Sequence, residues 1–152
     1  MASIEIFSST PKDIINLRRN LREGDKREVL NFGNCLRRIL WDSYNYTLEP
    51  KSIFVDGQLA AVFGCGGTVL GNVGKPWLLT TPVSEKSPIL FVRVYRQQVM
   101  EMLENYPVLE NMVDASYTKA IKLLEMVGFS VYHAEPIASG AMFRKFRMTA
   151  NA

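Results

Sequence analysis

Apolar and polar positions divide the chain into short alternating runs and longer runs with helical spacing. Ser3–Ser8 alternates and predicts a first strand. Thr10 and Pro11 have the residue types preferred at a helix N-cap and first helical position, and apolar residues follow at helical spacing. A second helical stretch is expected from about Lys26 to Tyr46, with a break near Gly33. The chain therefore begins with a strand and two helices.

Strand patterns dominate the next part of the chain. Ile53–Gly64 predicts a hairpin, because Asp56-Gly57 is a dipeptide that favours a two-residue turn with positive φ. The glycine-rich residues 65–75 predict a loop or a bulged strand end. Pro76–Thr81 predicts a further strand. Three strands in succession point to a sheet whose early members are joined by short connections.

Helical signals and strand signals alternate in the last part. Ser87 and Pro88 are a candidate N-cap and first residue of a long helix ending near Asn105. Asp114 is a candidate N-cap for a last helix, and Gly128 stands where a left-handed C-cap residue is expected. The remaining strands are predicted at Leu109–Val113, Ser130–His133 and Ala141–Met148.

The predicted order of elements is β, α, α, β, β, β, α, β, α, β, β. Such an order is typical of an α/β or α+β layout with a mixed central sheet flanked by helices. At 152 residues, the chain is expected to form one domain, residues 1–152.

Composition and charge narrow the classes of function. Apolar residues make up 47% and charged residues 22%, which is typical of a globular protein. The net charge is only +3, and a nucleic-acid-binding domain typically has a denser stripe of basic residues. Nucleic acid is therefore not an expected partner. Cys35, Cys65 and the single His133 do not form a metal-binding pattern, so no metal is expected and the cysteines are interpreted as reduced, buried thiols. No apolar window is long enough for a membrane span, and the N-terminus has no signal-peptide pattern.

Several sequence blocks stand in order along the chain: Ala61–Gly64, Gly74–Thr81, the Ser-Pro helix start with its arginines, Tyr106–Pro107, Leu109–Ala115, Ile121–Phe129 and Phe143–Phe146. Together they resemble the GNAT-like internal virion or morphogenesis proteins of short-tailed bacteriophages. The last helix, which leaves a strand through a polar turn and ends in Gly-Phe, resembles the last helix of the GNAT acyltransferase fold.

The resemblance implies a single GNAT-like (acyl-CoA N-acyltransferase) domain of the α/β class. It also implies a phage protein that acts in internal virion assembly through contacts with phage structural or host proteins, located in the host cytoplasm or in the virion. Two other hypotheses remain open. One is an active acetyl-CoA-dependent N-acetyltransferase that modifies a host or phage protein, and the other is a host-takeover protein that binds a bacterial target. A GNAT fold alone does not establish catalysis.

The resemblance makes acetyl-CoA the candidate cofactor. GNAT enzymes hold its pyrophosphate on a basic, glycine-rich turn at the start of the central helix, where backbone N–H groups point outward. The corresponding stretch, Thr81–Phe91, has no glycine, Pro88 lacks an N–H group, and Glu85 adds a negative charge. If the cofactor binds, the resemblance places its contacts at Leu79, Thr80, Thr81, Ser84, Lys86, Ser87 and Tyr117.

The candidate catalytic residues are Tyr117 and His133. In GNAT catalysis a base takes a proton from the amine, and a tyrosine near the last helix can protonate the departing thiolate. Tyr117 opens the last helix, and His133 stands close to Glu135 on the following strand. A packing role is the alternative for each of them. Glu49 and Asp56 are further candidate bases, although the hairpin turn already explains Asp56.

Basic residues recur along the helices and in the last strand. They are interpreted either as solvated helix faces and a strand rim or as a basic contact surface for an acidic phage or host partner. The set comprises Arg18, Arg19, Arg22, Lys26, Arg27, Arg37, Arg38, Arg93, Arg96, Arg144, Lys145 and Arg147.

Overall fold

A computed structural model describes residues 2–67 and 70–150. The order of strands and helices follows the prediction, except that the second helical stretch is divided into two helices and a 3₁₀ helix precedes the long helix. The strands are β1 (Ile4–Ser8), β2 (Lys51–Val55), β3 (Gln58–Gly66), β4 (Val73–Thr80), β5 (Val108–Asp114), β6 (Ser130–Pro136) and β7 (Met142–Thr149). The α-helices are α1 (Pro11–Asn20), α2 (Glu23–Leu30), α3 (Leu36–Tyr46), α4 (Pro88–Asn105) and α5 (Thr118–Val127), and a 3₁₀ helix spans Pro82–Glu85.

The strands form a seven-stranded mixed sheet in the order β1-β2-β3-β4-β5-β7-β6. Strands β4 and β5 are parallel, with Val73 opposite Val108 and Gly74 opposite Leu109. The β1–β2, β2–β3, β5–β7 and β6–β7 pairs are antiparallel. The predicted α/β class with a mixed sheet is confirmed. The described residues cluster into two compact units, so the one-domain boundary stays a prediction.

The first unit consists of residues within Met1–Gly66 and Trp77–Phe91. Its helix α1 begins as predicted, because Thr10 and Asp13 exchange side-chain and backbone hydrogen bonds in a capping box. The predicted break in the second helical stretch is confirmed, and it separates α2 from α3. The core of this unit is formed by Ile14, Leu17, Val29, Leu40, Leu59, Val62 and Leu79.

The hairpin between β2 and β3 forms at the predicted turn. Asp56 and Gly57 have φ angles of 50° and 78°, the positive values that this turn requires. The Asp56 carboxylate also accepts a hydrogen bond from the Ser3 N–H group at 2.8 Å. Asp56 is therefore held by the turn and by the start of the chain.

The second unit consists of residues within Gly67–Pro76 and Val92–Ala152. Its strand β6 extends three residues beyond the predicted end, to Pro136, while β5 is one residue longer at each end and β7 is displaced by one residue from the prediction. Helix α5 ends at Gly128, which has a φ of 118° and so confirms the predicted left-handed C-cap.

Two local predictions are wrong. Asp114 does not cap α5, because Tyr117 occupies the N-cap position, and the Asp114 carboxylate instead accepts hydrogen bonds from the N–H and hydroxyl groups of Ser116. Its short side chain serves the turn before the helix. Cys35 is exposed and Cys65 is half-buried, so the thiols are not both buried. Cys35 precedes α3, in the connection that separates it from α2, where little packs over it.

Candidate functional site

The predicted cofactor-binding stretch follows the end of β4 in the first unit. Leu79 is 7% exposed and belongs to the apolar core. Thr80 and Thr81 are almost fully buried, and Ser84 is also buried. Four of the predicted contact residues therefore lie together, but their side chains face into the protein.

Thr81 organises the loop between β4 and α4. Its hydroxyl donates to the Leu59 carbonyl at 2.6 Å and accepts from the Val83 N–H group at 3.2 Å. The N–H and hydroxyl groups of Ser84 both bond to the Thr81 carbonyl, at 3.1 and 2.8 Å. Because Pro82 presets a helical φ, these bonds fold the loop into a 3₁₀ helix.

This 3₁₀ helix uses the backbone donors that a phosphate-binding turn would present. The N–H groups of Val83 and Ser84 bond within the loop, and the Lys86 N–H group bonds to the Val83 carbonyl at 3.1 Å. Pro82 and Pro88 have no N–H group. A pyrophosphate needs several outward-facing donors at a helix start. This loop therefore offers a pyrophosphate fewer outward-facing donors than a glycine-rich turn, and the N–H groups in the first turn of α4 are the donors that remain.

Lys86 and Ser87 occupy the last positions before α4. The Lys86 ammonium donates to the Gln58 side-chain carbonyl at 2.6 Å, and Lys86 and Gln58 are both exposed. The Ser87 carbonyl accepts the first helical hydrogen bond, from the Phe91 N–H group at 2.9 Å. Pro88 is the first residue of α4, as the sequence predicts. Lys86 is the member of the predicted set whose charge remains accessible to an anion.

A buried polar network adjoins this loop in the first unit. The Asp25 side chain is 6% exposed and accepts hydrogen bonds from the N–H group of Thr80, at 3.0 Å, and from its hydroxyl. The Arg22 guanidinium donates to the Thr80 hydroxyl oxygen at 2.6 Å and pairs with Glu85 at 2.9 Å. The network fastens α2 and its N-cap to the end of β4 and to the 3₁₀ helix. The sequence shows only an ordinary i, i+3 Arg–Asp pair here.

Tyr117 is the N-cap residue of α5 in the second unit. It is 6% exposed, and its phenol oxygen is buried. Its N–H group bonds to the Asp114 carbonyl at 3.0 Å, and its own carbonyl begins the α5 hydrogen bonds. The position agrees with a packing role, while the catalytic and cofactor roles of Tyr117 stay predictions.

His133 lies on the exposed side of β6. Its side chain is 81% exposed, and its Nε2 atom is 2.9 Å from a Glu135 carboxylate oxygen. Both residues line a shallow groove of about 300 Å³ with Glu110, Tyr132, Lys145 and Arg147. A general base must lie within hydrogen-bond reach of the proton that it takes from a bound amine, and the structure does not show where an amine would bind in this open, polar groove. The role of His133 as a base stays a prediction.

Glu49 lies elsewhere in the first unit. It lines a cleft of about 430 Å³ with Ser8, Ser9, Tyr44, Asn45, Pro50 and Lys51, where β1 ends and β2 begins. Thr80 and Thr81 lie at the opposite ends of these strands, beside the start of β3. The structure therefore does not bring Glu49 to the predicted cofactor loop.

The described part of the chain lacks a metal-binding cluster and a membrane-spanning helix. Residues 2–67 and 70–150 contain no group of three or more histidine, cysteine or acidic side chains that could hold a metal ion. No helix among them has the length and apolar character needed to cross a membrane.

Solved acetyltransferase structures share this architecture. The aminoglycoside acetyltransferase AAC(6')-Ib, solved with coenzyme A, matches with a TM-score of 0.70 and 14% identity, over 98% of this chain and 96% of that one. A GNAT-family acetyltransferase from Bacillus anthracis matches with a TM-score of 0.73 and 9% identity, over 100% and 98%. The ribosomal-protein-S18-alanine N-acetyltransferase from Escherichia coli matches with a TM-score of 0.66 and 15% identity, over 97% and 94%.

These likenesses show that the chain has the GNAT fold. No protein-family model and no curated protein matches the sequence. The predicted fold is therefore confirmed, and identities of 9–15% carry no assignment of substrate or partner.

Proposed function

We propose that this protein uses its GNAT fold as a scaffold for protein–protein contacts in the internal assembly of a phage particle, and that it works in the host cytoplasm or in the virion. The observation that carries the proposal is the loop before α4, in which the N–H groups of Val83, Ser84 and Lys86 bond within the protein and Pro82 and Pro88 have none. A fold that has lost its phosphate-binding turn can still present its surfaces to partners. The phage role itself is supported by the ordered sequence blocks described above.

Calorimetry with acetyl-CoA tests the loss of cofactor binding. We expect no measurable binding of acetyl-CoA or free CoA at millimolar concentration, and the same result for Lys86→Glu, because the loop presents too few donors to hold a pyrophosphate. Micromolar binding that Lys86→Glu abolishes would show a working cradle and would overturn this part of the proposal. Micromolar binding that is unchanged in Lys86→Glu would place the cofactor elsewhere on the protein.

The assembly role needs a separate measurement. Purified particles of a phage that carries a tagged copy should contain the tagged protein, or particles made without it should lack internal proteins. Normal particles in both tests, together with capture of a host protein from infected cells, would favour the host-takeover hypothesis instead.

An active N-acetyltransferase is the second candidate function. It is favoured by the match over nearly the whole chain to AAC(6')-Ib, an enzyme solved with coenzyme A. In that case the cofactor would be acetyl-CoA, and the acceptor would be an amine of a host or phage protein. The calorimetric result above decides between the two candidates before any acceptor is sought.

A further inference from the structure

The structure separates the basic side chains by what they contact. Arg22 belongs to the buried network with Asp25 and Thr80. In the second unit, the Arg144 guanidinium donates to the Tyr132 carbonyl at 2.6 Å. Lys145 and Arg147 lie within 3.9 and 3.6 Å of the Glu110 carboxylate. These cations already bond or pair within the protein, so they are less available to an external partner.

Helix α1 presents a different arrangement on its outer face. Ile15 is 45% exposed, and its helical neighbours at i−3, i+3 and i+4 are Lys12, Arg18 and Arg19, all exposed. The opposite face of the helix is buried through Ile14 and Leu17. An exposed aliphatic side chain thus stands among cations on one side of a well-anchored helix.

Within the described part of the chain, no acidic side chain pairs with the cations of this face. Asp13, the acidic residue in α1, accepts hydrogen bonds from the Thr10 N–H group and the Ser52 hydroxyl, at 3.0 and 2.8 Å. Across residues 2–67 and 70–150, Lys12, Arg18 and Arg19 form no ion pair. The face therefore combines three cations that lack an ion pair with one partly exposed aliphatic side chain, so its charge is complementary to that of an acidic partner.

We infer that the outer face of α1, formed by Lys12, Ile15, Arg18 and Arg19 and called here the α1 contact face, binds an acidic protein segment. The segment would place one apolar side chain on Ile15 and carboxylates beside the surrounding cations. Bidentate pairing of arginine with carboxylate supplies direction, and burial of Ile15 supplies contact area. This inference rests on the proposed scaffold function and names the surface and partner chemistry that it would use.

The chemistry of the face favours protein over nucleic acid. Proteins that bind duplex DNA through electrostatics commonly contact roughly six to ten phosphates, more than this face can reach. Its centre is an aliphatic side chain, which offers no aromatic ring on which a base could stack. An apolar side chain of a protein partner would instead cover Ile15.

Fluorescence anisotropy with synthetic probes tests the inference on the full chain. The first probe is a labelled helical peptide in which leucines on one face are flanked by glutamates. The second has the same composition with the leucines scattered, and the third is a DNA duplex of similar net charge. We expect the first peptide to bind at least about tenfold more tightly than the second, because only it can cover Ile15 and pair with the cations together.

Charge reversal locates the binding surface. Arg18→Glu with Arg19→Glu should weaken binding of the first peptide by about tenfold or more. The matched control is Arg37→Glu with Arg38→Glu, an adjacent exposed arginine pair on α3 that should change the affinity less than about threefold. Ile15→Ser should also weaken binding but leave its salt dependence unchanged, because it removes no charge.

Several outcomes would overturn the inference. Equal affinity for both peptides would show that binding is non-specific electrostatic attraction and does not depend on the arrangement of the leucines. Tighter binding of the DNA duplex, with a steep loss as salt is raised, would assign the face to nucleic acid. An equal loss in the two arginine-pair variants would show that net charge, and not the α1 contact face, is responsible. Acetyl-CoA binding in the calorimetric assay would overturn the proposed scaffold function. It would not change the interpretation of the peptide measurements, which test the α1 contact face independently.

Discussion

Replacing Asp25 with alanine is expected to lower the free energy of unfolding by about 3 kcal/mol, because a buried, hydrogen-bonded carboxylate would be removed from its partners. The Thr80 N–H group would lose its acceptor inside the protein, and Arg22 would lose one of the carboxylates that offset its charge. The 15% exposure of the Arg22 side chain and its remaining bond to Glu85 should keep the loss at the lower end of the range for buried pairs. Urea unfolding of the Asp25→Ala variant and of the unmodified protein, followed by circular dichroism, measures the difference in unfolding free energy.

Asp42→Ala is the matched control for this prediction. Asp42 is an exposed carboxylate on α3 in the same unit, and its removal should change the unfolding free energy by no more than about 0.5 kcal/mol. If Asp25→Ala and Asp42→Ala gave similar small changes, the network around Thr80 would contribute little to stability.

Replacing Gly64 with alanine is expected to destabilise the protein by about 2 kcal/mol, through overpacking of a buried strand position. A Cβ atom at this position would lie 2.5 Å from the Thr47 methyl group and 3.0 Å from the Trp77 ring. Neither neighbour moves freely, because the Trp77 indole N–H group donates to the Thr47 hydroxyl at 2.8 Å. Strand propensity alone would predict a gain from this substitution. Thermal and urea unfolding decide which effect prevails.

Thr47→Ser provides the test of the cause. Serine keeps the hydroxyl that accepts from Trp77 and removes the methyl group that meets the new Cβ atom. Gly64→Ala should therefore destabilise the Thr47→Ser variant less than it destabilises the unmodified protein. We expect a coupling of about 1 kcal/mol in a double-mutant cycle. Strictly additive effects would mean that the Trp77 ring, or a shift of the backbone, determines the loss.

Local chemistry explains which parts of the fold were predictable. Thr10 with Pro11, Asp56 with Gly57, and Gly128 each fix the backbone through their own φ preferences or side-chain bonds, so the sequence predicted these boundaries. The mixed sheet followed from the order of elements. Asp114 was misassigned because an aspartate before a helix can serve either the helix N-cap or the preceding turn, and the local sequence does not choose between them.

The candidate site was less predictable, for a different reason. The missing glycine and the prolines already indicated a poor phosphate loop. However, the use of the Val83, Ser84 and Lys86 N–H groups depends on how the loop folds over Thr81. The Asp25 network joins residues 55 positions apart, and no local pattern can reveal such a pairing. Long-range hydrogen bonds of this kind are visible only in the folded structure.

The discontinuous first unit has a consequence for synthesis on the ribosome. Residues up to Gly66 leave the ribosome with Asp25 still lacking Thr80, and Leu79 is not yet available to complete the core. Since chains grow at about 5–20 residues per second, a partly formed sheet edge without β4 exists for a second or more before Phe91 emerges. During that interval apolar surface and an unpaired strand edge are exposed, so we expect the yield of folded protein to depend on chaperones more strongly than its final stability would imply.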